Sequence, residues 1–434
     1  MNDVLPGASD AFLDSSVWTQ VVGKATEVLQ SYGYRQVLLP VVEDTGLFAR
    51  GIGEDTDIVS KEMYSFADRG GDALTLRPEG TAGAVRAYIE HNYAKTSPIQ
   101  RWWYTGPMFR AERPQKGRYR QFYQIGAELF GAGAPAADAE MIIMLTRLCA
   151  ALGLTGVSVR VNSLGDPESR AAYRTILQQY LGAHTGELCE ACQRRALTNP
   201  LRVLDCKRPP CRAVAEKAPD IAGAFSPAAS AHFAAVQRLL ESARIAYVRD
   251  PRLVRGLDYY TGTIFEFASG ELGAQDAILG GGRYDDLVAQ LGGPPTQAVG
   301  FAAGIERLAL LAASRLSASE VAQAGGPHLY IAAMPGAEVR ALELAEQIRV
   351  AGPYRVEVDV TGKGLKPQMK RADRAGARFA LVLGEDELTS GRGKLKDLRT
   401  DLHQSGALAM VELSGVAIAG ALQAATVSAD GAKS

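Results

Sequence analysis

The sequence predicts a multidomain chain of mixed helix and strand, and three observations carry that prediction. A length of 434 residues exceeds what one hydrophobic core usually organises, so roughly two to three domains are expected. Residues 166–245 have a helical texture unlike their flanks, and from residue 329 onward strand-like and helix-like segments alternate, as in a small α/β domain. Apolar residues at 47% and charged residues at 22% match ordinary globular proteins, which excludes a disordered or collagenous chain. The formal net charge of -1 gives no whole-chain support to nucleic-acid binding, so any such surface must be local. Met1-Asn2-Asp3-Val4 offers no cationic stretch ahead of an apolar core, and apolar runs such as 308–313 are too short for a bilayer. Neither secretion nor membrane insertion is expected. Five cysteines, an odd number in a large chain, fit a reducing compartment, and a cytoplasmic location follows.

The elements follow in order. Val17, Trp18, Val21, Val22, Ala25, Val28, Leu29 and Tyr32 recur at helical spacing, with Ser15 or Ser16 as the N-cap and Gly33 as the stop. The β-branched run 37–42 reads as a strand whose Pro40 belongs at an edge, a bulge or an interface. Asp166-Pro167 opens the helical insertion, with Tyr173, Ile176, Leu177, Tyr180 and Leu181 as its first apolar stripe. A weak linker at 314–327 precedes a strand at 329–333, a helix at 339–350, a strand at 356–360, a helix at 365–375 and a strand at 379–383. The last residues, 426–434, are small and polar, and disorder is expected there.

Chemistry concentrates in three regions. Arg101, Arg110, Arg113, Lys116, Arg118 and Arg120 form a cationic segment interleaved with Phe109 and Phe122. Guanidinium groups match phosphate, Phe122 suits stacking on a base, and Pro114 to Gly117 suits a loop between two strands; a solvated charged hairpin is the other reading. Gly280-Gly281-Gly282-Arg283 and Gly300-Phe301-Ala302-Ala303-Gly304 are neither a P-loop nor a dinucleotide fingerprint, and close strand packing explains glycine equally well. The run from Leu253 to Gly262 places Arg255, Asp258, Tyr259 and Tyr260 beside glycines, the equipment of a polar binding site. Together these regions point to a nucleotide-using enzyme.

At this point a resemblance becomes specific. Phe109-Arg110-Ala111-Glu112 running through Phe122, and Gly300 to Gly304 with Glu306-Arg307, resemble the second and third signature motifs of class II aminoacyl-tRNA synthetases. The first helix and strand with Pro40 resemble the first motif. Leu74-Thr75-Leu76-Arg77-Pro78-Glu79-Gly80-Thr81, the run 253–260 and the run 279–286 resemble the histidyl-tRNA synthetase family within that class. Lys363-Gly364-Leu365-Lys366-Pro367-Gln368-Met369-Lys370 resembles that family's anticodon-binding domain. The likeness covers nearly the whole chain.

The resemblance implies an α+β fold: an antiparallel-sheet catalytic domain over 1–322 carrying the insertion 166–245, then an α/β anticodon-binding domain over 327–425. It implies a homodimer, with histidine, ATP, Mg2+ and tRNA(His) as partners. Arg255 and Arg110 become the catalytic residues flanking the α-phosphate. Phe122 and Arg307 are expected around adenine, with Arg110 and Glu112 completing the ATP site. Glu79, Gly80, Thr81 and Gln124 would hold the amino acid's backbone end, and Glu128, Tyr259 and Tyr260 its imidazole, beside Arg255. A buried structural acid is the plainer reading of Glu128. Arg113, Lys116, Arg118 and Arg120 are expected at the tRNA acceptor end, and Lys366 and Lys370 at the anticodon stem. They belong to a basic run with Lys363, Arg371, Arg374 and Arg378, opposed nearby only by Asp373; a solvated helix face is the alternative. Cys189-x-x-Cys192 and Cys206-x4-Cys211 have knuckle-like spacing, but the second pair is not a tight C-x-x-C and no histidine joins them. A structural zinc in the insertion and four ordinary reduced thiols are the two readings, and no metal is assigned. The rival function is a non-charging relative, the regulatory subunit of ATP phosphoribosyltransferase, against which the intact Arg255 segment and the C-terminal α/β domain stand.

Overall fold

The first helix, Ser15–Ser31, ends where Gly33 takes a φ of 80°, as its spacing and stop residue predict. Its cap is Asp14 rather than either serine: the Asp14 carboxylate accepts from the Ser16 N–H at 2.8 Å, a stronger acceptor than a hydroxyl for an orphan helix donor. The computed structural model describes residues 3–53, 56, 58–113, 119–273, 276–315, 325–398 and 409–430. The chain divides into two units, Met1–Asp3 with Trp18–Arg315, and Val4–Val17 with Leu316–Ser434. The expected boundary at 322 lies outside the described residues, and residues 4–17 go with the second unit. That segment closes on itself, Leu5 N–H donating to the Leu13 carbonyl at 3.0 Å, and Ser16 lies against Gly325. The linker expected at 314–327 falls mostly outside the described residues.

In the first unit the strands are β1 (Arg35–Gln36), β2 (Val42–Asp44), β3 (Tyr64–Ala67), β4 (Ala73–Leu76), β5 (Gln100–Phe109), β6 (Gln121–Phe130), β7 (Ser158–Ser163), β8 (Val248–Arg249), β9 (Thr263–Ala268), β10 (Ala277–Arg283) and β11 (Ala298–Gly304). Eight of them form one sheet in the order β1-β5-β6-β11-β10-β9-β7-β8. Every pair from β5 to β7 is antiparallel, and β1 and β8 add parallel strands at the two edges. The strand expected at 37–42 is broken. Val37 N–H still donates to the Trp103 carbonyl at 2.8 Å, but Pro40 has no N–H to continue a ladder, and pairing resumes only at β2, in a separate sheet of order β2-β4-β3.

The insertion is helical, as expected: Pro167–Ala183, Glu190–Thr198, Pro209–Glu216 and Pro227–Ser242, joined by short 3-10 turns. Asp166 caps its first helix by accepting from Ser169 N–H at 2.8 Å, and Tyr173, Leu177 and Leu181 are buried, while Ile176 is exposed. The helix Pro135–Ala151 is tied to the sheet by a buried ion pair: Asp138 accepts from Arg283 Nη2 at 2.6 Å and Nε at 3.1 Å, and also faces His232 of the helix Pro227–Ser242 at 3.2 Å.

The second unit contains β12 (Leu329–Ala333), β13 (Val356–Val358), β14 (Phe379–Leu383), β15 (Arg392–Asp397) and β16 (Ala409–Glu412), ordered β13-β12-β14-β15-β16. Its helices Glu338–Ala351 and Leu365–Arg374 fall where the alternation placed them. The core includes Leu329, Ile331, Leu344, Ile348, Phe379, Leu381 and Ile418. A last helix spans Gly415–Asp430, and its alanine-rich sequence has high helix propensity. Residues 431–434 lie outside the described ones.

Candidate active site

One face of the large sheet is a floor of small residues bounded by polar ones. Register runs Tyr104, Gly126, Ala302, Gly280, Glu266 across five strands, and the adjacent row runs Trp102, Glu128, Gly300, Gly282, Ile264. Residues opposite one another in a ladder share a face, so these side chains, with Gln124 opposite Gly304, all stand on one side. The two glycine blocks therefore do more than pack strands. A Cβ on Gly300 would collide with the Glu128 carboxylate and approach the Ala127 carbonyl oxygen to 2.7 Å; one on Gly280 would sit 2.6 Å from the Arg255 guanidinium carbon. Bare backbone at those points is what lets both charged groups lie over the sheet.

Glu128 is fully buried, yet its carboxylate accepts three hydroxyls: Thr81 Oγ1 at 2.9 Å, Tyr104 at 2.9 Å and Tyr284 at 2.5 Å. Burial pushes its carboxyl up to about 8 against the opposing pull of those donors. Glu79, also buried, accepts from the backbone N–H groups of Thr81 at 2.6 Å and Ala82 at 2.9 Å, at the start of the helix Thr81–Glu90; burial raises its carboxyl too. Tyr259 and Tyr260 are buried, with ring centroids 4.7 Å apart, and Tyr259 stands 5.7 Å from Tyr284. Burial raises both phenols. Gln124 Oε1 is buried with no hydrogen-bond donor. Two buried acids, several phenols and an amide carbonyl make a pocket for a small cationic or N–H-rich molecule.

Arg255 Nη1 donates to Glu266 at 2.9 Å while its buried Nε has no partner. It lines a cavity of about 400 Å³ with Arg170, Arg174, Leu257, Asp258 and Tyr260. Asn199 and Arg202 of the insertion hold Asp258, each at 3.0 Å. Arg110 donates to the Pro78 carbonyl at 2.9 Å and lies over the Phe122 ring at 5.2 Å. Arg307 donates to the Ala277 carbonyl oxygen, and its neighbour Glu306 accepts from Tyr123 N–H at 2.8 Å, burial lifting that carboxyl to about 7. Arg77 is structural: it donates to the carbonyls of Pro107 at 2.9 Å and Leu39 at 3.0 Å, joining the proline-broken segment to β5.

The fold thus brings Glu79, Thr81 and Glu128 together through shared hydrogen bonds and places Tyr259 and Tyr260 beside them. Arg113 and Arg120 are exposed, whereas Lys116 and Arg118 lie outside the described residues; Glu112 is half-buried. Sequence reasoning missed Tyr104 and Glu266. The signal for Glu266 was present, a charged residue inside the apolar strand Thr263–Ala268, and Tyr104 becomes visible only when β5 is registered against β6. In the second unit, Lys366, Lys370 and Arg374 recur every four residues and are exposed, forming one stripe of the helix Leu365–Arg374. The basic run is smaller than expected there. Arg371 is paired with Asp359, at 2.8 Å from its Nε, and Arg378 donates to the Ala425 carbonyl oxygen at 2.6 Å.

An eight-stranded sheet with an antiparallel centre, parallel edge strands and a glycine-lined polar face is the arrangement of a class II aminoacyl-tRNA synthetase catalytic domain. The family model described as "Histidyl-tRNA synthetase" matches residues 13–308, and one described as "Anticodon binding domain" matches 329–416. The chain is 49% identical over 405 residues to a histidine–tRNA ligase of Alkalilimnicola ehrlichii, covering 93% of this chain and 91% of that one. It is 50% identical over 399 residues to one of Halorhodospira halophila, covering 92% of each. Among solved structures, apo S. aureus histidyl-tRNA synthetase superposes with a TM-score of 0.73 at 33% identity, over 95% of this chain and 96% of that one. A Bacillus halodurans structure titled as an ATP phosphoribosyltransferase regulatory subunit/histidyl-tRNA synthetase gives 0.61 at 25% identity, over 86% and 94%. The chain belongs to the histidyl-tRNA synthetase family.

Proposed function

We propose that this histidine–tRNA ligase activates histidine on the glycine floor and passes it to the 3′ end of tRNA(His). The observation that carries the reading is Glu128, a buried carboxylate ringed by Thr81, Tyr104 and Tyr284 and bordered by Tyr259 and Tyr260. Such a ring suits an imidazole N–H. Glu79, with Thr81 and Gln124, receives the α-ammonium, and Gly80 brings the backbone close. The carboxylate of histidine then attacks the α-phosphate of ATP, which enters as its Mg2+ complex; pyrophosphate leaves, and a terminal ribose hydroxyl of tRNA takes the histidyl group. Arg255 and Arg110 neutralise the charge that grows on the phosphorus, the main aid a site gives to such a transfer. Phe122 and Arg307 hold adenine between them, with Glu112 orienting the nucleotide. Arg113, Lys116, Arg118 and Arg120 meet the acceptor end, and Lys366 with Lys370 the anticodon stem.

The non-charging alternative is not favoured: the relatives are histidine–tRNA ligases at about half identity, and the second unit matches an anticodon-binding domain. We further infer a cytoplasmic homodimer. Leu38, at 85% exposure, and Val42 stand out beside Pro40 near the β1 edge, where a second copy would cover them. Among the described residues no helix is long and apolar enough to cross a membrane. Pyrophosphate exchange into ATP with each of the twenty amino acids, without tRNA, tests the chemistry. Exchange with histidine alone is expected; no exchange from folded protein, or exchange with many amino acids, would overturn the assignment of the pocket.

A further inference from the structure

Four of the five cysteines meet in the insertion. The Sγ atoms of Cys189, Cys192, Cys206 and Cys211 all lie within 4.8 Å of one another, although the two pairs come from separate segments. Cys189 precedes the helix Glu190–Thr198 and Cys192 sits in its first turn; Cys206 follows the 3-10 turn Pro200–Val203, and Cys211 sits in the first turn of Pro209–Glu216. Cys192 and Cys211 are fully buried, while Cys189 and Cys206 are half-buried. The Cys189 backbone N–H points at Cys211 Sγ at 3.2 Å, the kind of outer contact that steadies a thiolate ligand. Cys149 stands apart on the helix Pro135–Ala151.

We propose that Cys189, Cys192, Cys206 and Cys211 bind one structural Zn2+ that braces the insertion against the Arg255-bearing segment. Four sulfurs at the corners of a tetrahedron with metal bonds of about 2.3 Å lie roughly 3.8 Å apart, close to the convergence seen, and an all-sulfur tetrahedral set selects zinc over harder cations. Two half-buried ligands and two buried ones make a closed structural site rather than a catalytic one. The ligands bind as thiolates, releasing their protons to solvent. Between the two cysteine pairs lie Asn199 and Arg202, the residues that hold Asp258, and Arg202 also donates to the Gly256 carbonyl at 2.6 Å. A metal clamp on both flanks of that stretch fixes the insertion's grip on residues 256–258. This inference does not depend on the substrate assigned to the pocket.

Metal analysis of the full chain, purified without added zinc or chelator, tests it. About one zinc per chain is expected, released in proportion as a mercurial reagent titrates the thiols, and lost in Cys192→Ser and in Cys206→Ser. Cys206 is half-buried, so its variant keeps the experiment meaningful if Cys192→Ser does not fold. Stripping the metal from the wild-type chain should open residues 189–211 to limited proteolysis. Only traces of zinc in the folded protein, a disulfide between any two of the four found by mass spectrometry, or unchanged zinc in Cys206→Ser would overturn the site. Unchanged cleavage after stripping would overturn the brace.

Discussion

Both oxygens of Glu128 are taken by hydroxyl donors, yet burial still holds its carboxyl up to about 8. A folded-state value raised above the unfolded one contributes stability that is fully present below the ordinary carboxylate range and is lost as pH rises through about 8. The ligand-free protein should therefore lose thermal stability as pH rises from about 4.5 to about 8 and level off above that, and Glu128→Gln should flatten that fall; calorimetric scans with equal slopes for the two would refute it. Gly300 is coupled to the same group, because its missing Cβ is the space the carboxylate fills. Gly300→Ala should destabilise the fold by about 1–3 kcal/mol in a denaturant titration and raise KM for histidine, as overpacking does. Arg255 acts elsewhere. With one edge on Glu266 and its Nε buried without a partner, it is poised for an anion, so Arg255→Ala should lower the adenylation rate about 100-fold or more while histidine binding changes far less. Equal losses in both would remove it from the phosphate.

Between elements, the sheet and its covering helices are joined at a few buried polar points rather than by apolar contact alone. Asp138 is the clearest case: Arg283 leaves β10 to meet it, and His232 reaches it from a third element. Removing Asp138 leaves the buried Arg283 with only Asp285 at 3.1 Å as a charged partner and strips the acceptor from its Nε and Nη2, so Asp138→Ala should cost about 3 kcal/mol by chemical denaturation, whereas exposed pairs such as Lys24 with Glu27 should cost almost nothing. The helix periods and the alternation in the second unit were legible in sequence because each reflects local burial. Pro40 misled the strand assignment for a physical reason: β-branched neighbours favour extended backbone, but a ladder also needs an N–H that proline lacks.

At the scale of the whole molecule, a nearly neutral chain carries its basic surface locally. Lys366, Lys370 and Arg374 form an exposed stripe, while the Arg371 charge is offset by Asp359, whose carboxyl is held well below the usual range by hydrogen bonds from Thr361 and Tyr330 together with Arg371. Reversing charge at both positions, in the Lys366→Glu/Lys370→Glu variant, should raise KM for tRNA about tenfold at moderate salt and leave tRNA-independent pyrophosphate exchange unchanged. An unaltered KM would take the stripe out of the tRNA interface.

By itself the sequence determined the helical insertion, the alternating second unit and most of the polar residues that gather on the sheet face, since periodicity and motif chemistry are written in neighbouring residues; the α+β class came with the family resemblance of its motifs. Tertiary structure alone decided which groups share a proton network or a ligand. The Tyr104, Tyr284 and Thr81 ring around Glu128, the seat of Arg255 over Gly280, and the meeting of two cysteine pairs all depend on strand register and helix packing. Those contacts join residues tens to hundreds of positions apart, and no local propensity records them.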